Sequence, residues 1–201
     1  MTEHKDPIAL LAADRISARE LNDGWAALCT LGTVNAQGDA EQRTLVLREV
    51  ESRLALFFSA RAPKWQELQA RPTCSVQLYL PSIQVQYRLR AGWEKIASEL
   101  VQSSWALRPD TPKKLDWLYE HQPQSSVIAR SELLEQLGET QPVPGHAPAA
   151  AMGVYLNPLS IERLQLNTGV HERERWTLRA ASTPDTPDTP DSRWHHEHLV
   201  P

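Results

Sequence analysis

The chain has 201 residues, 41% of them hydrophobic, which is enough for one sizeable core. Its formal net charge of -4 argues against a general nucleic-acid or anionic-membrane partner, so any basic site has to be local. No apolar stretch approaches the length of a membrane-spanning helix, and the first residues, Met1 to Asp6, lack the apolar core of a signal peptide, so a cytoplasmic protein is expected.

In chain order, Asp6-Pro7 reads as an N-cap followed by a first-turn proline. Ile8, Leu10, Leu11, Ile16 and Leu21 then give an imperfect amphipathic helix over about 6–22. Trp25 to Val34 reads as a strand, Asn35 to Gly38 as a turn, and the segment from Arg43 as the returning strand of a β-meander. The two cysteines, Cys29 and Cys74, have no CxxC spacing and read as reduced strand residues, neither disulfide nor zinc ligands.

The stretch from Arg43 to Arg48 alternates, placing Arg43, Leu45 and Leu47 on one face of a strand and Thr44, Val46 and Arg48 on the other. Glu49 to Arg53 is polar enough for a turn, and Leu54 to Phe58 resumes apolar sequence that stops at Ser59, which together read as a hairpin. Pro63 suits the first turn of a short helix that runs through Lys64 and ends before Pro72. Helix-start N–H groups, the Ser59 hydroxyl, Arg61 and Lys64 are the groups that hold a phosphate dianion, arginine as a bidentate fork and lysine as a point charge. The same residues also fit ordinary surface cations at strand ends, and the segment alone leaves both readings open.

Thr73 to Leu80 and Ile83 to Trp93 are further strands. In the second, Gln84, Gln86, Arg88 and Arg90 alternate to form one wholly polar face. That face is either solvated or part of a polar cavity in which Gln86 offers a donor and an acceptor to a uracil-like ring edge. Residues from about 98 to 137 take helical spacing in three pieces broken by Pro109, Pro112 and Pro123, a helical insertion. Glu139 to Ala151 reads as a surface loop, and strand-like sequence returns at Met152 to Leu156, Ile161 to Leu166 and Arg173 to Leu178. A Thr-Pro-Asp triplet repeats from Thr183 to Asp191, giving a flexible loop over about 181–192, and Arg193 to Pro201 closes the sheet. The sum is an α+β fold in a single domain spanning 1–201: a small, mainly antiparallel β-barrel of about seven strands with peripheral helices.

His195-His196-Glu197-His198 has metal-ligand chemistry, but alternation sends neighbours to opposite faces and no second ligand group with suitable spacing is evident, so no metal is expected. The seven tryptophans read as core and interface residues, since only two phenylalanines share that work. No Ser/His/Asp, GxGxxG or P-loop arrangement is present, and no catalytic residue is assigned.

Taken together, Arg43-x-x-x-x-Arg48, Phe57-Phe58-Ser59, Lys64-x-x-Glu67-Leu68, Gln86-x-Arg88, Arg108-Pro109, Gln124-Ser125-Ser126, Pro158-x-x-Ile161-Glu162 and His171-Glu172-Arg173 resemble the pyridoxamine 5′-phosphate oxidase family of FMN-binding split barrels. The resemblance runs from about residue 24 to the end. It implies FMN as cofactor, bound in clefts between the two subunits of a homodimer, with a small-molecule substrate and neither nucleic acid nor membrane as partner. Arg43 and Lys64, helped by Ser59 and Arg61, are then the phosphate grip. The backbone from Thr44 through Leu45 and Val46 to Leu47 would run beside the flavin ring, with Arg48 and Phe58 as further cofactor-binding candidates, while Gln86, Gln124 and Ser125 would hydrogen-bond the flavin or its phosphoribityl tail and Arg173 would approach the ring edge where negative charge develops on reduction. Arg48, Arg108 and His171 are the substrate-binding candidates, His171 for orientation only.

Departures from the family pattern fall on the substrate side. Arg48 stands where the family has lysine, Ser104 where it has tyrosine, Leu164 follows Arg163 in place of a tryptophan-bearing pair, and Gly169 replaces an arginine two residues before His171. An FMN-dependent oxidoreductase with an altered substrate pocket is therefore expected, the alternative being a carrier that binds FMN or another planar cofactor without turnover.

Overall fold

The computed structural model describes residues 6–122, 124, 126–139, 143–166, 169–179 and 193–201. The expected Thr-Pro-Asp loop lies outside them, as do Pro123 and Ser125. Helix α1 (Pro7–Glu20) starts as its Asp-Pro pair predicts, with the Asp6 carboxylate accepting from the Ile8 N–H at 3.1 Å. Gly24–Ala27 form a 3-10 turn instead of opening the strand, because Asp23 caps it by accepting from the Trp25 N–H. There follow β1 (Leu28–Val34), β2 (Ala40–Val46), β3 (Arg48–Val50), β4 (Arg53–Ser59), α2 (Pro63–Ala70), β5 (Thr73–Leu80) and β6 (Val85–Lys95). The helical insertion is α3 (Ser98–Ala106), α4 (Asp110–His121) and α5 (Arg130–Glu139), and the chain closes with β7 (Ala151–Gln165), β8 (Glu172–Leu178) and β9 (Trp194–Leu199).

One antiparallel sheet holds all nine strands in the order β2-β1-β5-β6-β7-β4-β3, with β8 joined to β7 and β9 to β8. The simple meander expected for the first half is corrected here: β4 pairs with β3 and β7, Ala55 opposite Arg48 and Tyr155, and not with β1 or β2. The hairpin expected from Arg43 to Phe58 is likewise two pieces. Residues up to Val46 pair with β1, and from Arg48 the chain pairs with β4. Glu51 and Ser52 turn that second hairpin at φ of 51° and 61°, the left-handed geometry a two-residue turn demands.

Met152–Leu156 and Ile161–Leu166, read as separate strands, are one strand of 15 residues. Its continuity comes from β6, which pairs with it from Val154 to Gln165 and absorbs a register shift at Arg90/Ala91, opposite Pro158. The other edge of β7 is divided, β4 taking Ala151–Tyr155 and β8 taking Ser160–Gln165. Proline has no N–H to offer a ladder, so the gap between those two partners falls where Pro158 can sit. The sheet parts there and curls into a half-barrel, the split-barrel architecture expected. Strict alternation in β5 and β6 sends Val76, Leu78, Leu80, Val85, Tyr87 and Leu89 inward with Leu31, Leu56, Val154 and Ile161. A Cβ built on Gly153 would meet the Phe57 ring at 2.9 Å, so only glycine lets β7 lie under that ring. Both cysteines are buried and free, and burial pushes their thiols up to about 12 for Cys29 and about 11 for Cys74. None of the described helices is long and apolar enough to cross a membrane.

Arg15 of α1, 1% exposed, is the most deeply buried cation among the described residues. Its Nε donates to the Ala26 carbonyl at 2.9 Å, its Nη2 to the Leu47 carbonyl at 2.8 Å, and its Nη1 pairs with Glu49. Leu47 in turn donates its N–H to the Ala27 carbonyl at 2.9 Å. The residue at which the chain crosses from β1 to β4 is therefore tied down on both its polar groups. Arg15→Met should lower unfolding free energy by about 3 kcal/mol, because two buried carbonyls lose a charged donor; Glu49→Gln, on the half-exposed side, should cost under about 1 kcal/mol. Urea midpoints of the two variants check this, and equal shifts would refute it.

Candidate functional site

Along β2, alternation turns Glu41, Arg43 and Leu45 to the half-buried side, and the first turns of α2 set Lys64 and Glu67 three residues apart on one helical face. Together with Thr44, Pro63 and Gln124 they line a cleft of about 480 Å³. Arg43 Nη2 donates to Glu67 at 2.8 Å, its Nη1 donates to the Thr33 hydroxyl, and that hydroxyl donates to the same Glu67 oxygen. Lys64, 8% exposed, donates from Nζ to Gln124 Oε1 at 2.9 Å. Loss of water around Lys64 lowers its pKa to about 8; Arg43 pushes the same way and Glu67 partly offsets both. Two cations crowd one carboxylate at the wall of an open cleft. Such a donor set fits the phosphate of the cofactor implied by the sequence resemblance.

Arg48, Phe58 and Ser59 line a neighbouring pocket with Ser104, Trp105, Arg108 and Asp116 from the helical insertion. The Lys64 ammonium lies 5.7 Å from the Phe58 ring centre and so joins the two cavities. At about 20 Å³ the second pocket has room for little more than one water. Trp105, 4% exposed, is part of its wall and donates from Nε1 to Asp116 at 2.9 Å, and Arg108 lies 3.2 Å from the same carboxylate oxygen. Burial raises the pKa of Asp116, with Arg108 and the indole N–H acting in the opposite direction. Two guanidinium groups thus line the pocket, and one of them, Arg108, already has a carboxylate beside it.

Other expected residues are placed elsewhere. The Ser59 hydroxyl accepts from the Arg61 N–H at 3.2 Å, and the Arg61 guanidinium, 50% exposed, turns to Glu120 of α4 at 3.3 Å. Gln86 and Arg173 line a third cavity, about 140 Å³, with Arg88, Glu162, Leu164 and Pro201. There Glu162 takes Arg173 at 2.8 Å and Arg88 at 3.6 Å. Register shows that this cavity lies on the opposite face of the sheet from Arg43. Arg43 stands opposite Leu31, Leu31 opposite Val76 and Val76 opposite Leu89, and residues directly opposite share a face. Gln86, three residues from Leu89, points the other way. His171 is exposed just before β8 and lines none of these three cavities. Among the described residues, a Cβ at Gly169 meets nothing within 4 Å.

Glu67 lies one helical turn from Lys64, a spacing that marks it in the sequence as a partner of that lysine. Asp116 and Thr33 had no such signal, since nothing local links them to Arg108 or Arg43.

No family model matches the chain. A pyridoxine/pyridoxamine 5′-phosphate oxidase from Pseudomonas savastanoi pv. phaseolicola is 30% identical over 165 residues, 74% of each chain. One from Pseudomonas entomophila is 29% identical and covers 98% of this chain and 89% of its own. Among solved structures, PhzG from Burkholderia lata 383, in complex with tetrahydrophenazine-1-carboxylic acid, has a TM-score of 0.80 at 18% identity over 98% of this chain and 93% of that one. A pyridoxamine 5′-phosphate oxidase-related FMN-binding protein from Nostoc punctiforme has a TM-score of 0.75 at 20% identity, covering 96% of each. These structural likenesses establish the split-barrel fold.

Because Glu67 supports the charged form of Lys64, Glu67→Gln should move the Lys64 titration below its present value of about 8. An NMR titration of the Lys64 Nζ resonance reads the shift, and an unmoved midpoint would show that the two groups are not coupled.

Proposed function

The chain belongs to the pyridoxine/pyridoxamine 5′-phosphate oxidase family, and from that premise we propose that it is an FMN-dependent oxidoreductase whose phosphate grip is Arg43 with Lys64. The observation that carries this reading is the buried Lys64 ammonium held beside Arg43 at the wall of a cleft of about 480 Å³. Without an anion that arrangement is costly, because burial and a like charge both disfavour the lysine cation. FMN, when bound, supplies the hydride acceptor, so the protein needs no nucleophile of its own. Glu67 and Thr33 aim the Arg43 fork, Gln124 holds Lys64, and the Thr44 to Val46 backbone borders the space for the ring. Ser125 lies outside the described residues.

A homodimer completes the site in this reading. Gln86 and Arg173 face away from Arg43 across the sheet, so within one chain they do not converge on a ligand held by Arg43 and Lys64, whereas a second copy brings them to it. Polar groups of the same outer face, among them Gln42, Gln77, Arg90 and Ser160, line a groove of about 410 Å³ that suits such a contact.

Arg48 and Arg108 are the proposed substrate anchors, with an altered selectivity. A phosphate monoester at neutral pH carries close to two negative charges. Asp116 already neutralises one charge in the pocket, and the space admits only the end of a ligand, so a monoanionic group is favoured over phosphate. The same narrowness supports a second reading, an FMN-binding carrier without turnover.

FMN should bind the purified protein, and Arg43→Ala should weaken binding roughly ten- to several-hundred-fold, read by quenching of flavin fluorescence. The affinity should also fall as pH rises. In the free protein Lys64 titrates at about 8; a phosphate raises that value, so binding takes up a proton above pH 8 and is at full strength below it. Below about pH 6 the phosphate itself protonates, which places the optimum between the two. A colourless protein that takes up no FMN would refute the reading, and an unchanged affinity in Arg43→Ala would move the phosphate elsewhere. Asp116→Asn should tighten pyridoxamine 5′-phosphate binding about tenfold by unmasking Arg108. Anaerobic bleaching of the flavin band by that compound, in either protein, separates the oxidase from the carrier.

A further inference from the structure

The β8–β9 hairpin carries a second cluster, apart from the cavities of the FMN site. His196 and His198 are two residues apart on β9 and therefore share a face, while His195 and Glu197 point to the other side, where Glu197 takes Arg175 at 2.8 Å. Across the ladder His198 stands directly opposite Glu174 and His196 opposite Trp176. One ring nitrogen from each histidine and one Glu174 oxygen all lie within 4.8 Å of one another. The second ligand group that the sequence did not reveal is thus supplied by the neighbouring strand, which sequence spacing does not report.

These groups are held in place. The His196 ring stacks on Trp176, centroids 4.7 Å apart at 14° between planes, and its Nε2 lies 3.1 Å from Glu174 Oε1. His198 meets His196 edge to face at 4.9 Å. Arg163, opposite Glu174 on β7, is spent on Asp14, the Tyr87 hydroxyl and Gln165, and shares no hydrogen bond with Glu174. Two imidazoles and one carboxylate at this spacing are a ligand set for a borderline divalent ion, with nitrogen and oxygen each about 2.0–2.2 Å from the metal.

We propose that Glu174, His196 and His198 form a binding site for a divalent transition-metal ion of the zinc class, three protein ligands with a fourth position left for water or another ligand. The ion clips β9, which among the described strands pairs only with β8, onto the sheet. Calorimetric titration of tag-free, EDTA-stripped and dialysed full-length protein with Zn²⁺, and visible absorption on adding Co²⁺, test it. One ion per chain with Kd near or below about 1 µM is expected, together with the absorption of a low-symmetry Co²⁺ complex. His198→Ala, at an exposed position, and Glu174→Gln should each weaken Zn²⁺ binding at least about tenfold, with unchanged circular dichroism and, for His198→Ala, unchanged FMN uptake. Absence of saturable binding, or binding that survives both substitutions, overturns the proposal; it stands or falls independently of the flavin reading.

Discussion

Everything that matters about the candidate site hangs on how the chain passes Leu47. Before that residue the chain belongs to the β1 edge and presents Arg43 to the larger cleft; after it the chain belongs to β4 and presents Arg48 to the narrow pocket. A crossing between two sheet edges leaves backbone groups that neither ladder can satisfy. The Leu47 N–H goes to Ala27, its carbonyl takes the buried Arg15 guanidinium, and Arg15 also holds the Ala26 carbonyl. One cation from the first helix thus sets the separation of Arg43 at the larger cleft from Arg48 at the narrow pocket.

Around that junction the helical insertion does the positioning. Gln124 reaches Lys64, Glu120 takes Arg61 at 3.3 Å and the Ala150 N–H at 2.6 Å, and Asp116 occupies Arg108. The insertion therefore roofs both cavities with polar groups that already engage the cations below. Its acids account for the difference between the clefts. The larger one has Glu67 shared between Arg43 and Thr33, so Lys64 stays crowded and undercompensated, whereas Asp116 sits squarely between Arg108 and Trp105. Charge balance, more than the identity of the cations, distinguishes the two cavities.

Short-range patterns made much of the fold legible. The Asp6-Pro7 start, the alternation of β5 and β6 and the closing strand all follow from periods and caps that a local stretch carries within itself, whereas Pro112, expected to break the helical insertion, sits in the first turn of α4, where a proline costs no helical hydrogen bond. Local pattern gives way where a partner distant in the sequence overrides it. Met152–Leu156 and Ile161–Leu166 read as two strands, yet β6 carries β7 through Pro158, and the run from Arg43 to Phe58 reads as one hairpin because the Leu47 crossing is decided by Arg15 and Ala27. Among site residues, Arg43, Lys64 and Gln124 do converge, while Arg61 is drawn to Glu120 and His171 stays exposed.

What the sequence determined by itself is the supply of parts: a curled antiparallel sheet, the order of its cationic and amide residues, and through them the family. Those are properties of spacing along one chain, and alternation and helical period express them locally. Which of the parts meet was decided only in three dimensions. That Arg43 and Gln86 face opposite sides of the sheet, that Asp116 silences Arg108, and that Glu174 joins His196 and His198 all depend on strand register and helix packing, which bring together residues far apart in sequence. A carboxylate placed by such packing changes the charge of a site without leaving any mark in the spacing of the motif it neutralises.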